Sequence, residues 1–203
     1  MVLISFEGKL GKGKTISMVQ HGLKEKRKSI ESGNDMNLYT NLKLYNLPLY
    51  SKMFNVKEFN YGTITDPRQI EKLTNSIVMM DELWSYLKAK IKTTALDQVL
   101  DEIILKSRHN DIKLLFTSQY LKQCHLWLRR VTDYRVFPVY NEFKQQVKCY
   151  VYEYDYLVHG EAKLGDFVYS YRYSAPFIMN FYNHKENIAR SDDYKVKLYA
   201  KQK

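Results

Sequence analysis

The 203-residue chain holds two cysteines, four prolines and eight glycines, and it has no long apolar run. Each shortage narrows the possibilities. Cys124 and Cys149 lack C-x-x-C spacing and read as free thiols of a reducing compartment. No stretch approaches the ~18 apolar residues that cross a bilayer, and no charged-then-apolar leader precedes Gly8. This predicts an intracellular, soluble, cytoplasmic protein whose membrane association would need a partner. No internal repeat or low-complexity tract is visible. Apolar residues still make up 45% of the chain, so a packed core is expected, and the length suits a single domain over residues 1–203. Acidic residues are also in short supply, with 22 Asp+Glu against 32 Lys+Arg and a net charge of +10. That balance suits a polyanionic partner such as nucleic acid, although a solvated lysine surface gives the same sum. Lys24-Glu25-Lys26-Arg27-Lys28 reads as the outer face and end of a first helix.

Three of the eight glycines fall close together, in Gly8-Lys9-Leu10-Gly11-Lys12-Gly13-Lys14-Thr15. This is G-x-x-x-x-G-K-[ST] without a mismatch, and it follows the apolar run Val2-Leu3-Ile4-Ser5-Phe6. Glycines let such a loop curl until the N–H groups from Gly11, Lys12, Gly13 and Lys14 through Thr15 and Ile16 point inward at phosphates. The N-terminus of the following helix adds partial positive charge. Lys14 supplies a cation for the β- and γ-phosphates, and Thr15 a hydroxyl for Mg²⁺. ATP and Mg²⁺ are the ligands this loop predicts.

Ile16, Val19 and Leu23 recur at helical spacing, which predicts a helix over about 14–31 closed by Gly33-Asn34-Asp35. Leu38–Leu42 is a short strand candidate, followed by a loop around Pro48. Thr65-Asp66-Pro67 opens a helix carrying Ile70 and Leu73. Ser76–Met80 and Ile112–Gln119 are apolar strands with polar C-terminal ends. Between them Leu96, Val99, Leu100, Ile103 and Ile104 form a helical stripe over 94–107. Strands alternating with helices indicate a mostly parallel α/β sheet, which binds ligands beyond its strand C-termini. From Asp133 the pattern changes. Residues 134–139, 146–152 and 167–171 are short alternating runs that extend the sheet or form a hairpin beside it. The chain therefore divides into a nucleotide-binding core, 1–140, and a β-rich extension, 141–203, whose tail from about Asn183 reads as an extended arm.

The strand 76–80 ends in Asp81-Glu82. Asp81 would complete the Mg²⁺ shell opposite Thr15, and Glu82 would act as general base on the attacking water. Taken alone, the pair could simply cap a helix. Gln119 closes the next strand at a depth where its amide could meet the γ-phosphate or the lytic water. Arg108-His109 stands just before that strand, and Arg108 is the first candidate for an arginine finger reaching a neighbouring subunit. Arg129-Arg130 is the second. His21, His109 and His125 show no metal-ligand spacing.

The ordered set Gly8…Lys14-Thr15, Asp81-Glu82, Arg108-His109 and Thr117-Ser118-Gln119 resembles the FtsK–HerA group of P-loop ATPases. Arg108-His109 is similar to the "RH" of viral packaging ATPases and phage Zot-like proteins, and Tyr39-Thr40-Asn41-Leu42 to the "YTN" strand of the Zot-like proteins. The resemblance covers about residues 1–140. It implies a P-loop NTPase fold and an ATPase that translocates double-stranded DNA as a homo-oligomeric ring, hexamer or pentamer. Viral genome packaging would be its biology, with a capsid or membrane protein as further partner and association with the virion vertex. A Zot-like assembly or secretion ATPase and a non-motor nucleotide switch or kinase stay open beside it. The missing transmembrane segment, typical of filamentous-phage Zot proteins, favours the packaging motor. Lys9, Lys12 and Lys14 are an unusual number of lysines for such a loop, and only Lys14 falls at the catalytic place.

Overall fold

The protein is seen as a computed structural model that describes residues 2–83, 110–124, 126–160 and 163–182. The helix expected over 94–107, Arg108, His109, His125 and the tail from Asn183 lie outside the described residues. Eight strands form one sheet: β1 Val2–Glu7, β2 Asn37–Thr40, β3 Gly62–Thr63, β4 Ser76–Met80, β5 Ile112–Ser118, β6 Tyr134–Asn141, β7 Gln146–Glu153 and β8 Asp166–Ser174. Their order is β3-β2-β4-β5-β1-β6-β7-β8. Every pairing from β3 to β6 is parallel, while β6–β7 and β7–β8 are antiparallel. This is a mostly parallel α/β sheet with added β-structure at its C-terminal side.

The 18-residue helix α1, Lys14–Glu31, lies on one face. Its Ile16, Met18, Val19 and Leu23 pack on Ile4, Phe6, Ile77, Met79 and Leu115. Gly22 lets the helix approach, because a Cβ there would sit 2.2 Å from the Met79 sulfur. On the other face Leu3, Val78, Met80, Leu114 and Phe116 meet Ile64, Ile70, Leu121, Leu128 and Tyr154. Alternate residues of each strand thus serve two cores, which is why β4 is apolar after Ser76 and buried throughout.

Three expectations change. The loop around Pro48 is a helix, α2, Leu47–Met53. Proline sits in its first turn, where a backbone N–H has no intrahelical acceptor to lose. The helix opened by Asp66-Pro67 is a single 3-10 stretch, Pro67–Lys72, started by a capping box. In that box the Asp66 carboxylate accepts from the Arg68 N–H and the Gln69 side chain accepts from the Asp66 N–H. The run 24–28 is not all outer face. Lys26 is buried, paired with Asp35 and donating to the Met36 carbonyl at 2.6 Å. Glu25 bridges Lys28 and Lys113, both at 2.8 Å. A helix lying flat on a sheet buries its lysine stems along with its apolar stripe.

The runs after Tyr134 resolve as a meander hung on β1. β6 pairs with β1 only from Tyr134 to Val136 and then runs on to Asn141 against β7. Its far end therefore stands beside the loop that leaves β1. The meander curls over α1, so that Val147, Cys149 and Val151 join the α1-side core.

Candidate active site

β1 delivers the chain to the C-terminal edge of the sheet, and residues 8–13 turn it back into α1. The turn needs glycine three times, with φ of 142° at Gly8, 74° at Gly11 and 88° at Gly13. The last two lie in the left-handed region that L-residues with a Cβ avoid. Gly13 is also the N-cap of α1, and β7 closes on it, since a Cβ there would meet Val147 at 3.5 Å. No side chain caps this helix and its first turn holds no acid. Its opening N–H groups, from Lys14 to Ile16, are the orphan donors of a helix start. Lys14 stands at its first position, and its ammonium donates across the loop to the Lys9 carbonyl at 3.1 Å. Burial pushes the Lys14 ammonium below its ordinary value of 10.5, opposed by the charges of Asp81 and Glu82.

β4 delivers Asp81-Glu82 to the same edge. The Thr15 hydroxyl donates to Asp81 Oδ1 at 2.9 Å, and the Thr117 hydroxyl to the same oxygen at 2.7 Å. Burial pushes the Asp81 carboxyl above its ordinary 3.8, against the two hydroxyls and the Lys14 charge. The turn itself is clamped. Asn41 donates its amide to the Asp81 carbonyl at 2.9 Å and accepts from the Asp81 N–H at 2.8 Å. The Glu82 N–H donates to Thr117 Oγ1 at 2.8 Å. These bonds hold Glu82 at φ 52°, a strained position for a residue with a Cβ, and leave its side chain exposed.

β5 lies between β1 and β4, with Ser118 level with Glu7 and Phe116 level with Met80. Gln119, half-buried one residue past β5, therefore stands at the edge between the phosphate-type loop and the acidic pair. The fold thus gathers Gly8, Gly11, Lys12, Gly13, Lys14, Thr15, Ile16, Asp81, Glu82 and Gln119 along one edge. Arg108 lies outside the described residues. Arg129 and Arg130 are on a short helix, Leu126–Val131, past Gln119. Arg130 lies over the Tyr156 ring at 5.8 Å, and Arg129 lines a cavity of about 180 Å³ with Glu7, Lys122, Arg135 and Tyr154. His21 is half-buried against Phe6 in edge-to-face contact at 5.8 Å, a packing role.

The residues present fit a nucleotide phosphate with its cation. Uncapped helix N–H groups stand beside a lysine at the helix start. A threonine hydroxyl and a half-buried carboxylate form a pair of hard oxygen donors, the kind magnesium takes.

Sequence reasoning missed three features. Asn41 and Thr117 were visible only as members of motifs and had no role, since the clamp they form joins residues 40 and 36 positions apart. Below the loop, Glu7 is buried and paired with Arg135 of β6 at 2.6 Å, and it also accepts from the Leu121 N–H at 3.0 Å. Beside the loop, the Ser17 hydroxyl donates to the Gly13 carbonyl at 2.7 Å. With that proton committed, the Tyr173 hydroxyl of β8, 2.7 Å away, is the donor to Ser17.

No protein-family model matches the chain, and no curated protein matches it by sequence. Solved structures do share its fold. The N-terminal domain of zonular occludens toxin from Neisseria meningitidis superposes with a TM-score of 0.55 at 18% identity, covering 90% of this chain and 98% of that one. The genome packaging NTPase B204 from Sulfolobus turreted icosahedral virus 2, in complex with ATP-gammaS, gives a TM-score of 0.50 at 13% identity, over 75% of this chain and 92% of that one.

Proposed function

We propose that the chain is an ATP-hydrolysing DNA translocase, with viral genome packaging as its biology. The observation that carries this reading is the meeting of Thr15, Asp81 and Thr117 on one carboxylate oxygen beside the Lys14 loop. It joins the start of α1 to the ends of β4 and β5, at the edge where α/β sheets take their ligands. The fold shared with a genome packaging NTPase and with a zonular occludens toxin domain supports the choice of biology.

In this reading the N–H groups of Gly11 through Ile16 cradle the phosphates. Lys14 exchanges the neutral Lys9 carbonyl for phosphate oxygens. Thr15 and Asp81 would hold a magnesium ion, which screens phosphate charge when bound. Glu82, exposed beside Asp81, takes the proton of the attacking water, a role worth on the order of 10²–10⁴ in rate. Gln119 orients that water. An arginine of the neighbouring protomer, Arg108 or the Arg129-Arg130 pair, stabilises the transferring phosphoryl group, so the working form is a ring of five or six copies. Double-stranded DNA is the translocated substrate, and a capsid protein at the virion vertex or a membrane protein anchors the ring in the host cytoplasm. Among the described residues no helix is long and apolar enough to cross a membrane.

A Zot-like assembly or secretion ATPase is the second reading, favoured by the toxin domain's coverage of 90% of this chain. Both readings need the same nucleotide chemistry. Titration of wild type and Glu82→Gln with Mg²⁺-ATP tests it. Both proteins should bind, and only wild type should turn over at full rate. Absence of ATP binding by wild type would sink both readings. Co-purification with a membrane protein rather than a capsid protein selects the second.

A further inference from the structure

The meander has a second face, turned away from α1. With Val147, Cys149 and Val151 inside the α1-side core, strand alternation and pairing put Phe137, Lys148, Tyr150, Tyr152, Phe167 and Arg172 on the opposite side. None of the six belongs to either core cluster. The Tyr152 ring meets Phe137 and Phe167 edge-to-face, both at 5.7 Å, which makes an aromatic row across three strands. Lys148 Nζ lies 4.3 Å from the centre of the Tyr150 ring. Phe167 is 57% exposed and Arg172 is exposed.

Two details say what such a face is for. Lys148 and Arg172 are direct cross-strand partners, an arrangement in which like charges cost stability. The strand positions of this face from Phe137 to Asn141, Gln146 to Tyr152 and Ser170 to Ser174 hold no carboxylate. Two cations kept opposite each other, with no acid between them and a row of half-buried rings ending in the exposed Phe167 alongside, match a ligand that carries both phosphates and flat π faces.

We infer that this face binds single-stranded nucleic acid, with the backbone passing Lys148 and Arg172 and the bases stacking on Tyr150, Tyr152 and Phe167. A duplex keeps its base faces in its own stack and would use the cations alone. The neighbouring residue on β8 ties the surface to the nucleotide site, because Tyr173 donates to Ser17 in the first turn of α1. The inference goes beyond the motor reading and needs only the surface. A chain that binds a strand but hydrolyses nothing would remove the motor reading and keep this one.

Fluorescence anisotropy of the full chain with a labelled oligo-dT of about 20 nucleotides tests it, read without ATP. Lys148→Gln/Arg172→Gln should weaken binding about tenfold or more and flatten its salt dependence. Phe167→Ala, at an exposed position, should weaken binding roughly five- to tenfold and leave the salt slope unchanged. Unlabelled duplex of the same length should compete about tenfold less well than the single strand. Thermal melting of each variant confirms that it is folded. No binding by wild type, equal competition by duplex, or wild-type binding by both folded variants would overturn the assignment.

Discussion

Lys14→Ala is expected to lose ATP binding while the fold survives, since the half-buried side chain hydrogen-bonds the Lys9 carbonyl and belongs to neither core cluster of the described residues. A filter-binding or calorimetric titration checks it, and retention of more than half the wild-type turnover would contradict the assigned role. Glu82→Gln separates the next step. It should bind Mg²⁺-ATP as wild type and hydrolyse it about 10²-fold more slowly or worse. If it turns over like wild type, Glu82 is only the second residue of a clamped turn. Two residues away from the site contribute to the acid response of the fold. Burial holds His21 down to about 4 from its ordinary 6.5, so it is neutral in the fold and becomes charged more easily in the unfolded chain. Burial also works against the Glu25 charge, but hydrogen bonds from Lys113 and Lys28 outweigh it and hold the carboxyl down to about 2 from 4.5. Both folded values are depressed, so both contributions are present at neutral pH and lost on acidification. His21 acts between about 6.5 and 4, and Glu25 between about 4.5 and 2. Urea unfolding from pH 7 downward should show stability falling through both windows. His21→Gln should flatten only the upper one.

At the scale of elements, the root of the Gly8–Gly13 loop is held by the Glu7–Arg135 ion pair. Glu7 is 2% exposed and its charge is met by Arg135 of β6 and the Leu121 N–H. Arg135→Met should therefore cost about 3–5 kcal/mol of unfolding free energy, because it strands a buried carboxylate. Glu7→Gln/Arg135→Met should recover part of that loss, and a single-variant cost under about 1 kcal/mol would mean that water reaches Glu7. The same elements show what the sequence could and could not tell. The helix Lys14–Glu31 and the strand Ser76–Met80 were legible, because helical spacing and an unbroken apolar run are local signals. The phosphate-type loop and Asp81-Glu82 were legible as motifs. The Asn41 and Thr117 clamp, the Glu7–Arg135 pair and the Tyr173–Ser17 link were not, since each joins residues brought together only by strand order. Pro48 was misread because a proline in a first helical turn looks like a loop breaker until its position in the helix is known. Lys26 was misread because a run of five charged residues looks solvated throughout, while its ammonium is taken up by Asp35 and the Met36 carbonyl beyond the helix.

For the whole molecule, the edge that carries the Lys14 loop and the meander belong to one sheet, so under the proposed function DNA, neighbouring protomers and ATP would all act on the same strands. The arginine that completes the site is expected from a neighbour. Arg108→Ala should keep nucleotide affinity and lose turnover about 10³-fold, and mixing it with Lys14→Ala should restore part of the rate, because one interface then pairs an intact loop with an intact arginine. No rescue on mixing would turn the same test to Arg129 and Arg130. The net charge of +10 predicts that DNA affinity falls steeply with salt and varies little with sequence. The most direct measurement is steady-state ATP hydrolysis by the purified chain with and without double-stranded DNA over a range of protein concentrations. The account predicts a rate per protomer that rises with concentration as rings form, rises again with DNA, and vanishes in Lys14→Ala. A rate that is absent, or indifferent to both DNA and protein concentration, would contradict it.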